Sequence, residues 1–126
     1  MTLTIIISVL LIHFVSDFLY QTNKQTLNKG KSIKELLKHT TIYSILSGCL
    51  LQIMVQEDMF GAQETLLPIY FTLITFITHT VVDYFTSKLT SKLWNDEYKQ
   101  INFVVFGFDQ IIHLITLFAT INYLCY

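Results

Sequence analysis

Each of the four histidines in this 126-residue chain has an acidic residue four positions away: His13 with Asp17, Glu35 with His39, His79 with Asp83, and Asp109 with His113. With nine acids in the chain, chance supplies roughly half of one such pair, and residues four apart on a helix share a face, with Cβ atoms about 5–6 Å apart. Each pair can therefore aim one imidazole and one carboxylate at a common point. Carboxylate oxygen with imidazole nitrogen suits zinc, manganese or iron, whereas all-oxygen sites suit magnesium or calcium. The expected cofactor is a divalent metal, zinc before manganese or iron, as one or two ions. Its candidate ligands are His13, Asp17, His39, His79, Asp83, Asp109 and His113, and Asp17, Asp83 and Asp109 double as catalytic candidates. Gln21 and Gln110 are expected to support the ligands from outside, as is Glu35, which also has an explanation as a helix cap. Lys29 and Lys31, in the adjacent link, are candidates for holding a phosphate. The plainer alternatives are histidines that bond neighbouring helices, or His–Asp pairs that close on each other as a structural or proton-relay network without metal.

The elements that must carry these residues are apolar. The sequence is 52% hydrophobic and 13% charged, against about 25% charged in ordinary soluble domains. Residues 3–20, 36–55, 66–86 and 101–124 each approach the ~20 residues that cross a ~30 Å hydrocarbon core. Thr, Ser and Tyr interrupt them, which fits spans packed on other spans. The first run lacks a basic flank and a small-residue cleavage site, so it reads as retained. The expected fold is all-α, a single four-helix transmembrane bundle made of two helical hairpins, since lipid admits only helices and closed barrels.

Charge sets an orientation. All eight basic residues are lysines: Lys24, Lys29, Lys31, Lys34 and Lys38 surround the link between the first two runs, and Lys88, Lys92 and Lys99 the link between the last two. The middle link carries Glu57, Asp58 and Glu64 and no lysine. The positive-inside rule then makes the first and third links cytoplasmic and leaves both termini outside, in a multi-pass protein of the cytoplasmic (inner) membrane. Trp94, Tyr98, Tyr123 and Tyr126 fall where aromatic belts are expected. In this orientation the acid of every pair lies nearer the cytoplasm, with its histidine about 6 Å deeper at 1.5 Å per residue. Four helices thus present a carboxylate layer and an imidazole layer at one level. A buried aspartate costs at least ~2.5–3.5 kcal/mol on insertion scales, so Asp17, Asp83 and Asp109 must face inward and find partners.

Local signals complete the outline. Ser32 followed by Glu35 forms an expected capping box, and Pro68 suits a first helical turn. The likeness of "HFVSDF" to "HTVVDY" hints at an internal repeat. Phe14, Phe18, Tyr84, Phe106 and Phe108 read as packing or lipid-facing residues. Cys49 and Cys125 are too far apart along their runs to suggest a disulfide or a metal pair. No glycine-rich phosphate loop, Ser-His-Asp order or nucleic-acid module is present. The partners to expect are membrane lipids and, for so small a bundle, a second copy in a homo-oligomer.

The string "HFVSDFLYQTNKQTLNKGKS", His39 with Tyr43, then "HTVVDYFTSKL" and "FDQIIHLITL" resemble an uncharacterised family of small bacterial and phage membrane proteins, domain of unknown function 3307. The motifs fall at His13, Asp17, Phe18 and Gln21; Asn28 and Lys29; His79, Asp83 and Tyr84; and Asp109, Gln110 and His113. They cover nearly the whole chain, and the resemblance implies a residue selection but no reaction. In architecture and His/Asp usage the chain is also similar to membrane-bound metal-dependent hydrolases. Their His-Arg-containing motif is missing, as the chain has no arginine.

The leading expectation is a metal-dependent hydrolase acting on a phosphoester or lipid-like substrate at the cytoplasmic membrane face. A metal ion would polarise the scissile group and lower the pKa of its water toward ~7. A metal-ion or proton transporter or channel is the alternative that intramembrane acids and histidines suggest by default, although no charged residue falls in the outer half of any run. Two other readings are a redox bundle akin to di-iron four-helix proteins, which space their ligands at i, i+3, and a structural module of a larger membrane complex.

Overall fold

Long runs of Leu, Ile, Phe and Thr with no internal proline form helices, and in the computed structural model every regular element among the described residues is helical. The structure describes residues 2–60, 66–93 and 99–125. Helix α1 spans Leu3–Phe14 and runs on through a π turn, Val15–Leu19; α2 is Asn23–Asn28, α3 Ile33–Gln56, α4 Leu67–Leu93 and α5 Lys99–Cys125. The four expected runs all lie in these helices, and α2 is an addition inside the first link. Trp94, Tyr98, Tyr126 and Glu64 lie outside the described residues, and Tyr123 is exposed.

Helix α2 has a local cause. Thr22 and Gln25 form a reciprocal capping box: Gln25 N–H donates to Thr22 Oγ1 at 3.2 Å and Thr22 N–H to Gln25 Oε1 at 2.8 Å. The box expected at Ser32 and Glu35 is not formed, because Ser32 makes no side-chain cap bond. Helix α2 instead packs on the start of α3 and brings Lys24 Nζ to 3.4 Å from Glu35 Oε1, with Lys38 Nζ at 3.6 Å on the other side. Glu35 is drawn to these two cations rather than to the helix end.

Helix α3 packs along α4 and α4 along α5, while α1 and its π turn lie against α3 and, more lightly, α5. The α3–α4 seam between the two expected hairpins is as extensive as the α4–α5 seam within the second. The interior divides along its length. Ile5, Val9, Leu51, Met54, Leu67, Phe71, Leu117 and Ile121 fill the half away from the 20–32 link with an apolar core. Toward the link, His, Asp, Ser and Thr dominate the buried positions, joined by Gln25, Glu35, Leu36, Tyr43 and Asn102. Large apolar side chains such as Leu11, Ile45, Ile77, Phe85, Phe103, Val104 and Ile115 face outward. Phe14, Phe18, Phe106 and Phe108 are exposed as well, and Tyr84 is at the margin.

Among the described residues, only Lys99–Cys125 is both long and apolar enough to cross a membrane by composition; Leu3–Leu19 is apolar but shorter. In α3 and α4 even the stretches free of lysine, 39–56 and 67–84, fall short, diluted by His39, Gln52 and Gln56 in the one and His79 and Asp83 in the other, with hydroxyl residues in both.

The α3–α4 seam depends on Gly48. A Cβ there would run into Thr72 Oγ1, which is held by its bond to Pro68 O at 2.7 Å. Gly48→Val should cost about 1–3 kcal/mol by overpacking, read as an earlier unfolding midpoint in detergent. An unchanged midpoint would mean that the helices do not meet there.

Candidate metal centre

The π turn and three helices deliver the carboxylate and imidazole groups to one buried cluster. Wide π turns occur mostly as single-turn insertions and often at functional sites; here the turn carries Asp17, whose side chain is 3% exposed. Helix α3 supplies His39, α4 His79 and Asp83, and α5 Asp109 and His113. Every one of these side chains is buried.

The acid–histidine pairs of the sequence are redistributed across helices. His39 does not bond to Glu35; its Nε2 lies 3.0 Å from Asp17 Oδ1 and 3.4 Å from Asp83 Oδ2. His79 Nε2 lies 3.3 Å from His39 Nε2, 3.6 Å from Asp83 Oδ2 and 3.8 Å from Asp17 Oδ1. His113 Nε2 sits 3.3 Å from both Asp83 Oδ1 and Asp109 Oδ1. Two triads, Asp17–His39–His79 and His79–Asp83–His113, each hold three donor atoms within 4.8 Å of one another, so these buried His/Asp groups could hold a metal ion.

Asp83 Oδ2 adjoins the first triad, 3.4 Å from His39 Nε2 and 3.6 Å from His79 Nε2. A tetrahedral ion with bonds of about 2.0–2.1 Å separates its donors by about 3.3 Å. The separations among Asp17 Oδ1, His39 Nε2 and His79 Nε2 given above run from 3.0 to 3.8 Å, so this triad fits three corners of a tetrahedral ion. Asp17 Oδ1 adds a second sign. Although fully buried and close to two imidazoles, it receives no well-directed hydrogen bond. A buried acceptor in that state lacks a partner, and an ion held by the triad would supply one.

The neighbouring groups orient these donors. Gln110 Nε2 donates to Asp17 Oδ2 at 2.9 Å and Asp109 Oδ2 at 3.1 Å, and Thr86 Oγ1 donates to Asp109 Oδ1 at 2.6 Å. His13 lies outside both triads. Its Nε2 faces Gln110 Oε1 at 2.9 Å and its Nδ1 faces Tyr43 Oη at 2.7 Å, so neither nitrogen is free for an ion. Tyr43 also stacks on His79 at 3.8 Å between ring centroids, and His79 on His113 at 3.9 Å. These stacks fix the imidazole planes. Gln21 makes no bond to the cluster, and its buried Nε2 is without a hydrogen-bond partner. Tyr43→Phe should keep the stack but leave His13 Nδ1 unpaired, costing about 1–3 kcal/mol with metal content unchanged. Metal loss in that variant would place Tyr43 among the ligands.

Lys29 comes to the cluster from the first link. Its Nζ lies 3.0 Å from Asp83 Oδ2, and its side chain is 17% exposed. Gly30 makes this approach possible, because a Cβ there would strike Ser91 Oγ and the Ser87 carbonyl oxygen of α4. Burial pulls the Lys29 pKa down, but the Asp83 and Asp17 carboxylates more than offset it, so the ammonium titrates above its ordinary value. Lys31 stays exposed. The structure thus gives Lys29 a carboxylate partner at the position where a phosphate ligand was expected.

Thr86 enters the site only in the structure, which also gives Tyr43, quoted above only with the family motif, its contacts with His13 and His79. Tyr43 lies four residues after His39 and Thr86 three after Asp83, so helical spacing places both on the ligand faces.

No curated protein and no solved structure matches this chain. The family model described as "Protein of unknown function (DUF3307)" matches residues 5–125. With that match spanning nearly its whole length, the chain belongs to the DUF3307 family of proteins of unknown function.

Proposed function

We propose that this chain is an integral membrane metalloprotein. Its α1, α3, α4 and α5 span the cytoplasmic membrane with both termini outside, and its zinc-type centre hydrolyses a phosphoester or lipid-like substrate near the cytoplasmic face. The membrane part is supported by polarity turned inside out: aspartates, histidines and hydroxyls are buried while Leu, Ile and Phe cover the outside. Water-soluble folds rarely leave such broad apolar surface exposed. The lysines of both expected cytoplasmic links lie at the end of the bundle that holds the cluster.

The observation that carries the metal is the buried triad Asp17, His39 and His79, whose donor atoms lie 3.0 to 3.8 Å apart. Hydrolysis is favoured by the carboxylate and imidazole groups beyond that triad. Asp109 and His113, 3.3 Å apart, adjoin the centre without being needed to complete it. With three protein donors the ion would keep a fourth position for a water, whose pKa zinc lowers toward ~7, and the Asp109–His113 pair would serve as its general base. Transport is disfavoured by the apolar plug of Leu51, Met54, Phe71, Leu117 and Ile121 that closes the outer half.

The near-complete burial of these donors, with Asp83 Oδ2 beside them, favours a second reading, a closed structural ion that staples the helices. The two part on one experiment. Zinc-loaded protein in detergent is offered activated phosphodiesters and anionic phospholipids, beside Asp109→Asn. Metal-dependent turnover that falls at least about a hundredfold in Asp109→Asn, with its zinc retained, is the expected result. Stoichiometric zinc without turnover on either class would leave the staple.

A further inference from the structure

We infer that Gln110, itself held by His13, keeps Asp17 to a single oxygen on the ion and so sets the centre's preference for zinc over manganese. This rests on the metal reading above and makes both Gln110 and His13 positioning residues, since neither is a ligand.

Asp17 divides its two oxygens between two environments. Oδ1 lies inside the triad, 3.0 Å from His39 Nε2 and 3.8 Å from His79 Nε2, and receives no well-directed hydrogen bond. Oδ2 accepts from Gln110 Nε2 at 2.9 Å. A carboxylate whose second oxygen is bonded to an amide N–H offers an ion one donor. With His39 and His79 this makes three donors and leaves the fourth tetrahedral corner to a water. Were both Asp17 oxygens turned to the ion, the set would be richer in oxygen and higher in coordination, surroundings that suit manganese better than zinc.

The Gln110 amide is held in this orientation from both ends. Its Nε2 also donates to Asp109 Oδ2 at 3.1 Å, and its Oε1 faces His13 Nε2 at 2.9 Å. An amide oxygen only accepts, so His13 donates from Nε2, and it does so equally as imidazole or as imidazolium. Turned over, the amide would set its oxygen against the carboxylates and its NH2 against the His13 N–H. Tyr43 Oη meets the other imidazole nitrogen at 2.7 Å and fixes the ring. The contacts thus run from α3 through α1 and α5 to the π turn that carries Asp17. They account for a buried histidine that shares a face with Asp17 without joining the donors.

The test loads the full chain in detergent with cobalt(II) as a spectroscopic stand-in for zinc, and measures zinc and manganese affinities by competition. Wild type is expected to show the strong visible absorption of four-coordinate cobalt. In Gln110→Met the freed Asp17 Oδ2 is a buried acceptor without a donor and turns to the ion. The absorption should then weaken toward that of higher coordination, and the zinc-over-manganese ratio should fall at least about tenfold. His13→Leu should move both readouts the same way, and His13→Gln, which replaces the Nε2 donor, should restore them. Thr86→Val releases Asp109 instead and should leave both at wild-type values. Gln110→Met with the wild-type cobalt spectrum and metal ratio would overturn the inference and leave the metal centre standing. No cobalt or zinc bound by any of these proteins would remove the metal reading and the inference together. Should the Gln110 and His13 variants not fold, the wild-type spectrum decides. Strong absorption there sustains a single-oxygen Asp17, and the weak absorption of five- or six-coordinate cobalt overturns it.

Discussion

Asp83→Ala should lower the stability of the bundle by about 3–5 kcal/mol, because it leaves the Lys29 ammonium largely buried and unpaired. Asp83 meets Lys29 at 3.0 Å and is itself 1% exposed, so water cannot take over either role without opening the helices. The cost belongs to the orphaned charge more than to the pair. Adding Lys29→Met to Asp83→Ala should therefore recover most of the lost stability, since neutral groups of similar length need no partner. Unfolding in detergent across the four proteins of the double-mutant cycle measures this. Metal binding should not recover, because the double variant still lacks the Asp83 oxygens. A double variant no more stable than Asp83→Ala would show that Lys29 is satisfied some other way.

The second large effect separates the two triads. His79 belongs to both, and its ring is sandwiched between Tyr43 and His113. Phenylalanine fits that stack and removes the nitrogen, so His79→Phe should fold and hold no zinc. His39 belongs to the first triad only. His39→Phe leaves His79, Asp83 and His113, which should bind weakly, with affinity reduced by at least about a hundredfold. Loss of an outer-layer partner alone commonly costs 10–100-fold. Equal effects of the two variants on zinc affinity, with both folded, would contradict the nested arrangement.

Much of the site was legible because a helix has a fixed period. The four His–acid spacings put each pair on one face, and their order along alternating helices put the acids on one level. Asp17, His39, His79, Asp83, Asp109 and His113 do converge. Spacing within a helix does not say how far that helix is rotated toward its neighbours, and the contacts were decided there. His39 turned from Glu35 to Asp17 and Asp83, and His13 was taken by Tyr43 and Gln110. The π turn at Val15–Leu19 follows from tertiary packing, and no residue type in "VSDFL" announces it. Lys29 shows the same limit from the other direction. A lysine next to glycine in a polar link reads as surface, until the bare Gly30 lets the chain lie on α4 and sends the ammonium inward. The capping signal was misplaced because Thr22-x-x-Gln25 and Ser32-x-x-Glu35 match the same pattern, and two lysines compete for the glutamate.

The central claim is that these donors meet on an ion, and elemental analysis of the detergent-purified protein tests it most directly. Wild type reconstituted with zinc and freed of excess should retain about one equivalent, as two triads that share His79 require, and His79→Phe prepared alongside should retain none. Wild type that holds no more metal than His79→Phe would leave the buried histidines and aspartates as a hydrogen-bonded core and remove the basis for hydrolysis.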